Sequence, residues 1–311
     1  MTYHNLKCLI PSSNIRIFLF FYIGFIILVY HSCAVTNNHL TTIDNNKAAL
    51  GKLLFADKSV SYNGKIACNT CHASDKAFSD GYKLSINSEG EPLPLNSPSL
   101  LNLNNYKFFS QVDSTVISLF DQMNRPLFGH NPVEIGLDRD SSRIFRNLSV
   151  KYEYLIKKIY PNGQHLNITT FKDCIASYLK TLENRNSVWD SIQIGKKMNV
   201  NVEPIMKGYG IFKKYDCQSC HNGEDFNEPS ANINHYHIDI SGRKLRIAGL
   251  RNLKYTKPYL SDGSAGTIQD VLQSHISNNW VKNIGHGIDD GEKLQLIKFL
   301  YSLSGDLTKF N

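Results

Sequence analysis

The sequence lacks two features that would place it in common functional classes. It carries a formal net charge of +7, but its basic residues do not gather into a run like a nucleic-acid-binding arm, so no nucleic acid is expected among its partners. The dispersed cations indicate a solvated face, or a patch that steers an acidic redox partner. The apolar run over residues 17–30 is shorter than a typical membrane span.

Regular alternation of apolar and polar residues, the pattern of half-buried strands, is also absent, so the predicted fold class is all-α. Of the seven cysteines, four fall in two short motifs. The other three, Cys8, Cys33 and Cys174, do not indicate a disulfide framework. Cys174 lies on the apolar side of a predicted helix, where a small core residue is expected.

Those four cysteines belong to two copies of the pattern Cys-x-x-Cys-His, at residues 68–72 and 217–221. This pattern is the attachment signature of a c-type haem. Each thiol can bond one haem vinyl group, and the adjacent histidine can ligate the iron. The pair therefore predicts two covalently bound haem c groups; a zinc site and redox dithiols are the alternatives. The predicted attachment and ligand residues are Cys68, Cys71 and His72 for the first haem and Cys217, Cys220 and His221 for the second.

Residues 1–33 have the pattern of an export signal. Lys7 and Arg16 precede an apolar run whose length suits a signal sequence. The segment ends in a loose lipoprotein cleavage box, so the alternatives are a membrane lipid anchor at Cys33, ordinary signal cleavage or a retained N-terminal anchor. Residues 34–43 are predicted to be a polar tether. Each alternative places the haem groups outside the cytoplasm, in the periplasm.

The chain around each motif follows one plan: a helix, the motif, a long irregular segment and further helices. Residues 44–200 and 201–311 are therefore predicted to be two cytochrome c-like domains with long haem-wrapping loops. Helices are predicted near residues 46–55, 141–160, 168–184, 203–215, 267–275 and from Asp289 or Asp290 to Gly305. The helix over 168–184 is predicted to be capped by Thr169 or Thr170.

Short motifs outside the haem signatures occur in a characteristic order. They lie at residues 51–55, 77–81, 96–100, 118–122, 131–136, 210–212, 250–252, 256–259 and 262–264. In this order they resemble the motifs of the bacterial dihaem cytochrome c peroxidases and their relative MauG. The resemblance covers nearly all of residues 47–305, and it is more specific for the family than for one reaction.

The resemblance implies a periplasmic peroxidase that reduces hydrogen peroxide to water at the N-terminal haem. The C-terminal haem would relay electrons from a small c-type cytochrome or a cupredoxin. Glu134 matches the distal acid–base group and Gln122 the amide that orients peroxide. A MauG-like oxidase acting on a partner substrate and a non-enzymatic dihaem electron carrier are the alternatives.

The resemblance also implies a calcium ion between the haem domains. Its ligands would be the side-chain oxygen of Asn96 and the carbonyl oxygens of Thr256 and Pro258, with waters. Family members are often dimers, which makes a homodimer a further possibility.

The sequence departs from the family pattern near the first haem. Where the family has Trp-Asp-Gly-Arg, this chain has residues 112–115, Val-Asp-Ser-Thr, and its tryptophans, Trp189 and Trp280, stand in other contexts. Either of two aromatics, Phe108 or Phe109, is a candidate to fill the gap between the haems.

Two further differences concern charge and ligation at the first haem. Leu95 replaces an arginine of the family, and no histidine lies between His72 and His130. The first haem is therefore open, or His130 blocks it.

The sixth ligand of the second haem is a further departure. No methionine follows Met206, and the position that the peroxidases fill with methionine holds His275. Tyr259, His286 or no sixth ligand are the alternatives. Because histidine lowers a haem potential relative to methionine, a His221/His275 haem would be a weaker electron acceptor than its relatives.

Overall fold

Helices form most of the regular structure in the computed structural model, which describes residues 44–228, 234, 236–238, 242–280 and 287–310. The predicted export signal, the tether, Cys33 and His286 lie outside these residues. None of the helices in the described ranges has the length and hydropathy of a membrane span.

The described helices are α1 (44–56), α2 (Cys68–Cys71), α3 (Leu119–Gln122), α4 (Asn124–Phe128), α5 (Ser141–Lys151), α6 (Glu153–Ile159), α7 (Ile168–Lys180), α8 (Val188–Gln193), α9 (Glu203–Lys214), α10 (Ile268–Ser277) and α11 (Asp290–Ser302). Two strands, β1 (Tyr236–Ile238) and β2 (Lys244–Arg246), form an antiparallel pair. The predicted helical class is confirmed, and the hairpin was missed because three-residue strands are too short to show alternation.

Two predicted helix boundaries were wrong. The helix expected over 141–160 is two helices, α5 and α6, which meet at Tyr152. The cap of α7 is Asn167, whose side chain accepts from the backbone N–H groups of Thr169 and Thr170. The hydroxyl of Thr170 accepts in return from the Asn167 N–H, so the threonine predicted as a cap is the partner in a capping box.

The helix before each haem motif crosses a later helix at a glycine. A Cβ atom added to Gly51 of α1 would lie 2.0 Å from the carbonyl oxygen of Cys174 in α7. A Cβ atom added to Gly208 of α9 would lie 2.1 Å from the carbonyl oxygen of Gln295 in α11. Only glycine allows the backbones to approach this closely.

One helical turn beyond each glycine, a phenylalanine packs on an aromatic ring of the crossing helix. Phe55 meets Tyr178 at a centroid distance of 5.4 Å, and Phe212 meets Phe299 at 5.2 Å. The same i, i+4 pairs of residues therefore form the same crossing in both halves of the chain.

A large apolar cluster fills the second half between α8, α9, α10 and α11. Trp189 lies at its centre, against Tyr209 and Phe299, so this tryptophan is a core residue. From Lys47 onward the chain forms one compact unit, and its division into domains 44–200 and 201–311 stays a prediction.

Candidate haem sites

The first motif forms one helical turn. Helix α2 spans Cys68–Cys71, and the His72 N–H donates to the Cys68 carbonyl at 3.0 Å. Both cysteines are free thiols, and burial raises the pKa of the Cys68 thiol to about 12 and that of Cys71 to about 11. Two protonated thiols on one turn fit the thioether attachment that the motif predicts.

The imidazole of His72 is oriented by a hydrogen bond. Its Nδ1 lies 2.9 Å from the carbonyl oxygen of Phe78, a residue with φ of 58° in the left-handed region. Ser97, which donates to the Cys71 carbonyl at 2.6 Å, lies 3.3 Å from the same Nδ1. When Nδ1–H donates to the carbonyl, Nε2 keeps its lone pair for a metal. Burial lowers the pKa of His72, which also favours this neutral form.

The second motif repeats this geometry. Residues Cys217–Ser219 form a 3-10 turn, and the His221 N–H donates to the Cys217 carbonyl at 2.9 Å. His221 Nδ1 lies 3.2 Å from the carbonyl oxygen of Phe226, whose φ is 53°. Burial, with the nearby His275, lowers the pKa of His221 to about 4. Both motifs thus present free thiols and a neutral imidazole, the donor set that haem c requires.

Glu134 lies beside the first motif. It sits half-buried between the core residues Val133 and Ile135. Burial raises its pKa, and the charge of Arg125 partly opposes that rise. The Glu134 charge in turn raises the pKa of both thiols of the first motif, so the carboxyl lies within electrostatic reach of these cysteines.

Two neighbours of Glu134 come from short helices. Gln122 is the half-buried last residue of α3, and among the described residues no hydrogen bond joins its amide to Glu134. Arg125 in α4 is a cation that the sequence reasoning missed. Leu95 had suggested that this region lacks a positive charge, yet Arg125 acts on Glu134. The available signal was its place between the two matched segments 118–122 and 131–136.

His275 faces His221. Helix α10 begins after its cap Thr267 and places His275 two residues before its end. The two imidazole centroids lie 6.5 Å apart, and their planes differ by 42°. A metal–nitrogen bond is about 2 Å and the ring centre lies roughly 1 Å beyond it, so two axial imidazoles stand about 6 Å apart. His275 Nδ1 lies 2.9 Å from the Val271 carbonyl, which leaves Nε2 available.

Tyr259 and His286 were the alternatives to His275 at the second haem, and His130 was the residue predicted to block the first haem if it is not open. The Tyr259 hydroxyl donates to the Leu253 carbonyl at 2.7 Å and belongs to the apolar cluster. His130 is exposed, with Nε2 3.5 Å from Asp138. Of the candidates for the second haem in the described residues, His275 is the one whose ring stands beside that of His221, and its ligand role stays a prediction.

The predicted calcium ligands lie on segments that meet. The Asn96 N–H donates to the Ser261 carbonyl at 2.7 Å, and its side-chain amide donates to the carbonyls of Tyr82 and Lys83. This leaves the Asn96 side-chain oxygen free to accept, near the segment that carries Thr256 and Pro258. Within the described ranges no group of three or more His, Cys, Asp or Glu residues could hold a metal ion.

The first-half loop that lacks the family tryptophan contacts the hairpin. Phe108 packs on Tyr236 of β1 at a centroid distance of 5.9 Å. Arg246 of β2 donates to the Phe108 carbonyl at 3.2 Å. A role for Phe108 or Phe109 between the haems stays a prediction.

Comparisons with known proteins agree with this geometry. Residues 45–198 match the sequence model of the di-haem cytochrome c peroxidase family. The chain is 26% identical over 296 residues to the cytochrome c551 peroxidase of Nitrosomonas europaea, covering 87% of this chain and 84% of that one. It is 29% identical over 293 residues to the cytochrome c peroxidase Ccp of Escherichia coli K12, covering 86% of this chain and 60% of that protein.

A solved structure has the same fold. It is a MauG-like protein associated with microbial copper homeostasis, with a TM-score of 0.73 and 24% sequence identity. The match covers 84% of this chain and 90% of that one. The helical architecture around the two motifs is therefore that of a known dihaem fold.

Proposed function

Because the chain belongs to the bacterial dihaem cytochrome c peroxidase and MauG family, we propose that it is a c-type peroxidase that reduces hydrogen peroxide to water. The observation that carries this proposal is Glu134, a half-buried carboxyl of raised pKa beside the first motif. Cys68, Cys71 and His72 hold the first haem, and Cys217, Cys220 and His221 hold the second. When bound, the two haems supply the redox chemistry.

Glu134 moves the proton. Its carboxylate oxygen accepts a proton from the near oxygen of peroxide and delivers it to the far oxygen, which then leaves as water. Burial raises the pKa of this carboxyl, which makes the carboxylate a stronger base toward the proton of peroxide. Gln122 orients the substrate, and the positive charge of Arg125 favours the ionised form of Glu134.

His221 and His275 would hold the second haem, and that haem would supply the storage and relay of electrons. The 6.5 Å separation of their rings supports this ligand pair. Electrons come from a small c-type cytochrome or a cupredoxin. The second candidate function, a MauG-like oxidase, is favoured by His275, since a bis-histidine haem is easier to oxidise than one with methionine.

The surroundings of the two haems extend this proposal. The repeated glycine crossing supports two cytochrome c-like domains, 44–200 and 201–311. Covalent haem attachment indicates a periplasmic enzyme. A lipid anchor at Cys33 would hold it at the membrane, and two copies would assemble as a homodimer. Asn96, with the carbonyls of Thr256 and Pro258, holds calcium through hard oxygen ligands.

The decisive experiment removes the carboxylate of Glu134. A Glu134→Gln variant should lose about a hundredfold to ten-thousandfold in peroxide turnover with a reduced small cytochrome. A matched control is Glu153→Gln, since Glu153 is an exposed carboxylate that pairs with Lys157 on α6. The control should retain wild-type turnover.

The pH profile gives an independent readout of the same group. Because the ionised form accepts the proton, wild-type turnover should fall as the pH drops through the raised pKa of Glu134. That acid limb should be absent from the residual activity of Glu134→Gln. Full activity in this variant would refute the proposed proton transfer.

A further inference from the structure

Trp280 packs on the proposed axial ligand of the second haem. Its ring lies edge-to-face on the His275 imidazole, with centroids 5.1 Å apart and planes at 87°. The Trp280 N–H donates to the His275 carbonyl at 3.0 Å, so backbone and side chain are both tied to the same residue. Trp280 is half-buried, unlike Trp189 in the core.

A second histidine also packs on Trp280. His237 of β1 meets the indole at a centroid distance of 4.9 Å, again close to edge-to-face. The preceding residue, Tyr236, packs on Phe108 of the first half. The indole is therefore held between the hairpin and α10, and its own position is fixed.

Two constraints act on the His275 ring. The hydrogen bond from Nδ1 to the Val271 carbonyl fixes one edge of the imidazole, but it leaves the ring some rotation about its long axis. An edge-to-face indole removes that rotation because turning the ring would open a gap or cause overlap. The same indole covers this side of the ring, where it would keep water from the imidazole.

We propose that Trp280 is a positioning residue for His275, which fixes the plane of the sixth ligand and shields the second haem from water. The inference rests on the proposed ligand role of His275. Surroundings that orient a metal ligand and exclude solvent control the reduction potential of the metal. The function of Trp280 is thus to set the potential of the second haem.

The test uses the haem-loaded protein, with electron paramagnetic resonance and a redox titration as readouts. In Trp280→Ala the second haem should stay low-spin, but its largest g-value should shift because the angle between the two imidazole planes is no longer held at 42°. Its potential should fall because water stabilises the more charged, oxidised haem. Trp280→Phe should restore most of both properties.

Two controls keep the outcomes separate. Trp189→Phe removes an indole from the same half that contacts neither proposed ligand ring, and it should leave the g-values and the potential unchanged. His275→Ala should abolish the low-spin spectrum of the second haem.

Each contrary result has one meaning. An unchanged spectrum in His275→Ala would overturn the ligand assignment and this inference together. A changed spectrum in His275→Ala, with unchanged g-values and potential in Trp280→Ala, would overturn the role of Trp280 alone. If Trp189→Phe shifted both readouts as much as Trp280→Ala, general loosening of the domain would explain them instead.

Discussion

On the side that carries the cysteines, the two motifs are built alike, and on the opposite side they are not. His72 and His221 each have Nδ1 at a phenylalanine carbonyl, at 2.9 and 3.2 Å. Beyond these shared contacts, the charge of Glu134 acts on the thiols of the first motif, and the imidazole of His275 lies 6.5 Å from that of His221 in the second.

The side that is alike in both motifs would attach the haems, and the side that differs would determine their chemistry. Each haem would need the same thioether and histidine bonds on its attachment side, so the same loop conformation occurs at both motifs. The opposite side decides whether a small molecule reaches the iron, and one proposed site has a proton-transfer group where the other has a ligand. The proposed division of labour between peroxide reduction and electron relay would therefore depend on a few side chains in a shared scaffold.

The largest expected effect comes from changing the proposed ligand itself. His275→Met should give the second haem the ligand pair that its position has in the peroxidases of the family. The potential should rise by a sizeable part of the roughly 0.8 V range that axial ligands span. A redox titration measures the rise, and the first haem serves as the internal control since its potential should stay constant. A potential that does not move would show that residue 275 is not an axial ligand.

Smaller effects are expected at the two helix crossings. Gly51→Ala and Gly208→Ala force a Cβ atom against a carbonyl oxygen of the facing helix, and each should cost about 1–3 kcal/mol of unfolding free energy. Gly210→Ala is the matched control in α9, because nothing lies within 4 Å of its added Cβ. It should stabilise the helix by roughly 0.5–1 kcal/mol.

Denaturation followed at each haem band measures both the cost and its location. If the halves are separate domains, Gly51→Ala should weaken the first haem signal before the second, and Gly208→Ala should do the reverse. Equal loss at both haems would count against the division at residue 200. A Gly208→Ala protein as stable as Gly210→Ala would contradict the close crossing.

The sequence predicted the features that depend on neighbouring residues. The two Cys-x-x-Cys-His motifs and the amphipathic helices are local patterns, and the structure places them as expected. Glu134 and His275 had no local signal, because a carboxylate in a loop and a histidine on an apolar face usually have no special role. Their candidacy came from matching the family motifs.

Long-range arrangements were beyond prediction. The influence of Arg125 on Glu134 depends on how α4 packs, and the approach of Trp280 to His275 depends on the turn after α10. The break at Tyr152 also escaped the helical pattern, since both α5 and α6 continue the same apolar periodicity. In each case the contact that determines the local structure joins residues that no sequence pattern relates to each other.

The smallest expected effect is a difference in acid stability between two carboxylates, one in each half, that accept hydrogen bonds from the same kinds of residue. Asp57 accepts from Lys151 and Tyr152 in the first half, and Glu292 accepts from Lys214 and Tyr215 in the second. The Asp57 side chain is 6% exposed and that of Glu292 is 20% exposed. The same Lys-Tyr pair therefore acts on a more deeply buried acid in the first half.

Acid unfolding should reveal that difference. Burial alone would raise the pKa of Asp57, but hydrogen bonds from Lys151, Ser59 and Tyr152 outweigh it and lower the pKa from 3.8 to about 2. The carboxylate therefore contributes about 2 kcal/mol above pH 4, and this stability is lost as the pH falls through about 2. Asp57→Asn should remove that pH dependence, as seen by comparing urea unfolding at pH 5 and pH 2.5. Glu292→Gln should remove less because solvent screens the contacts of this more exposed carboxylate with Lys214 and Tyr215, and an equal loss in both variants would contradict that screening.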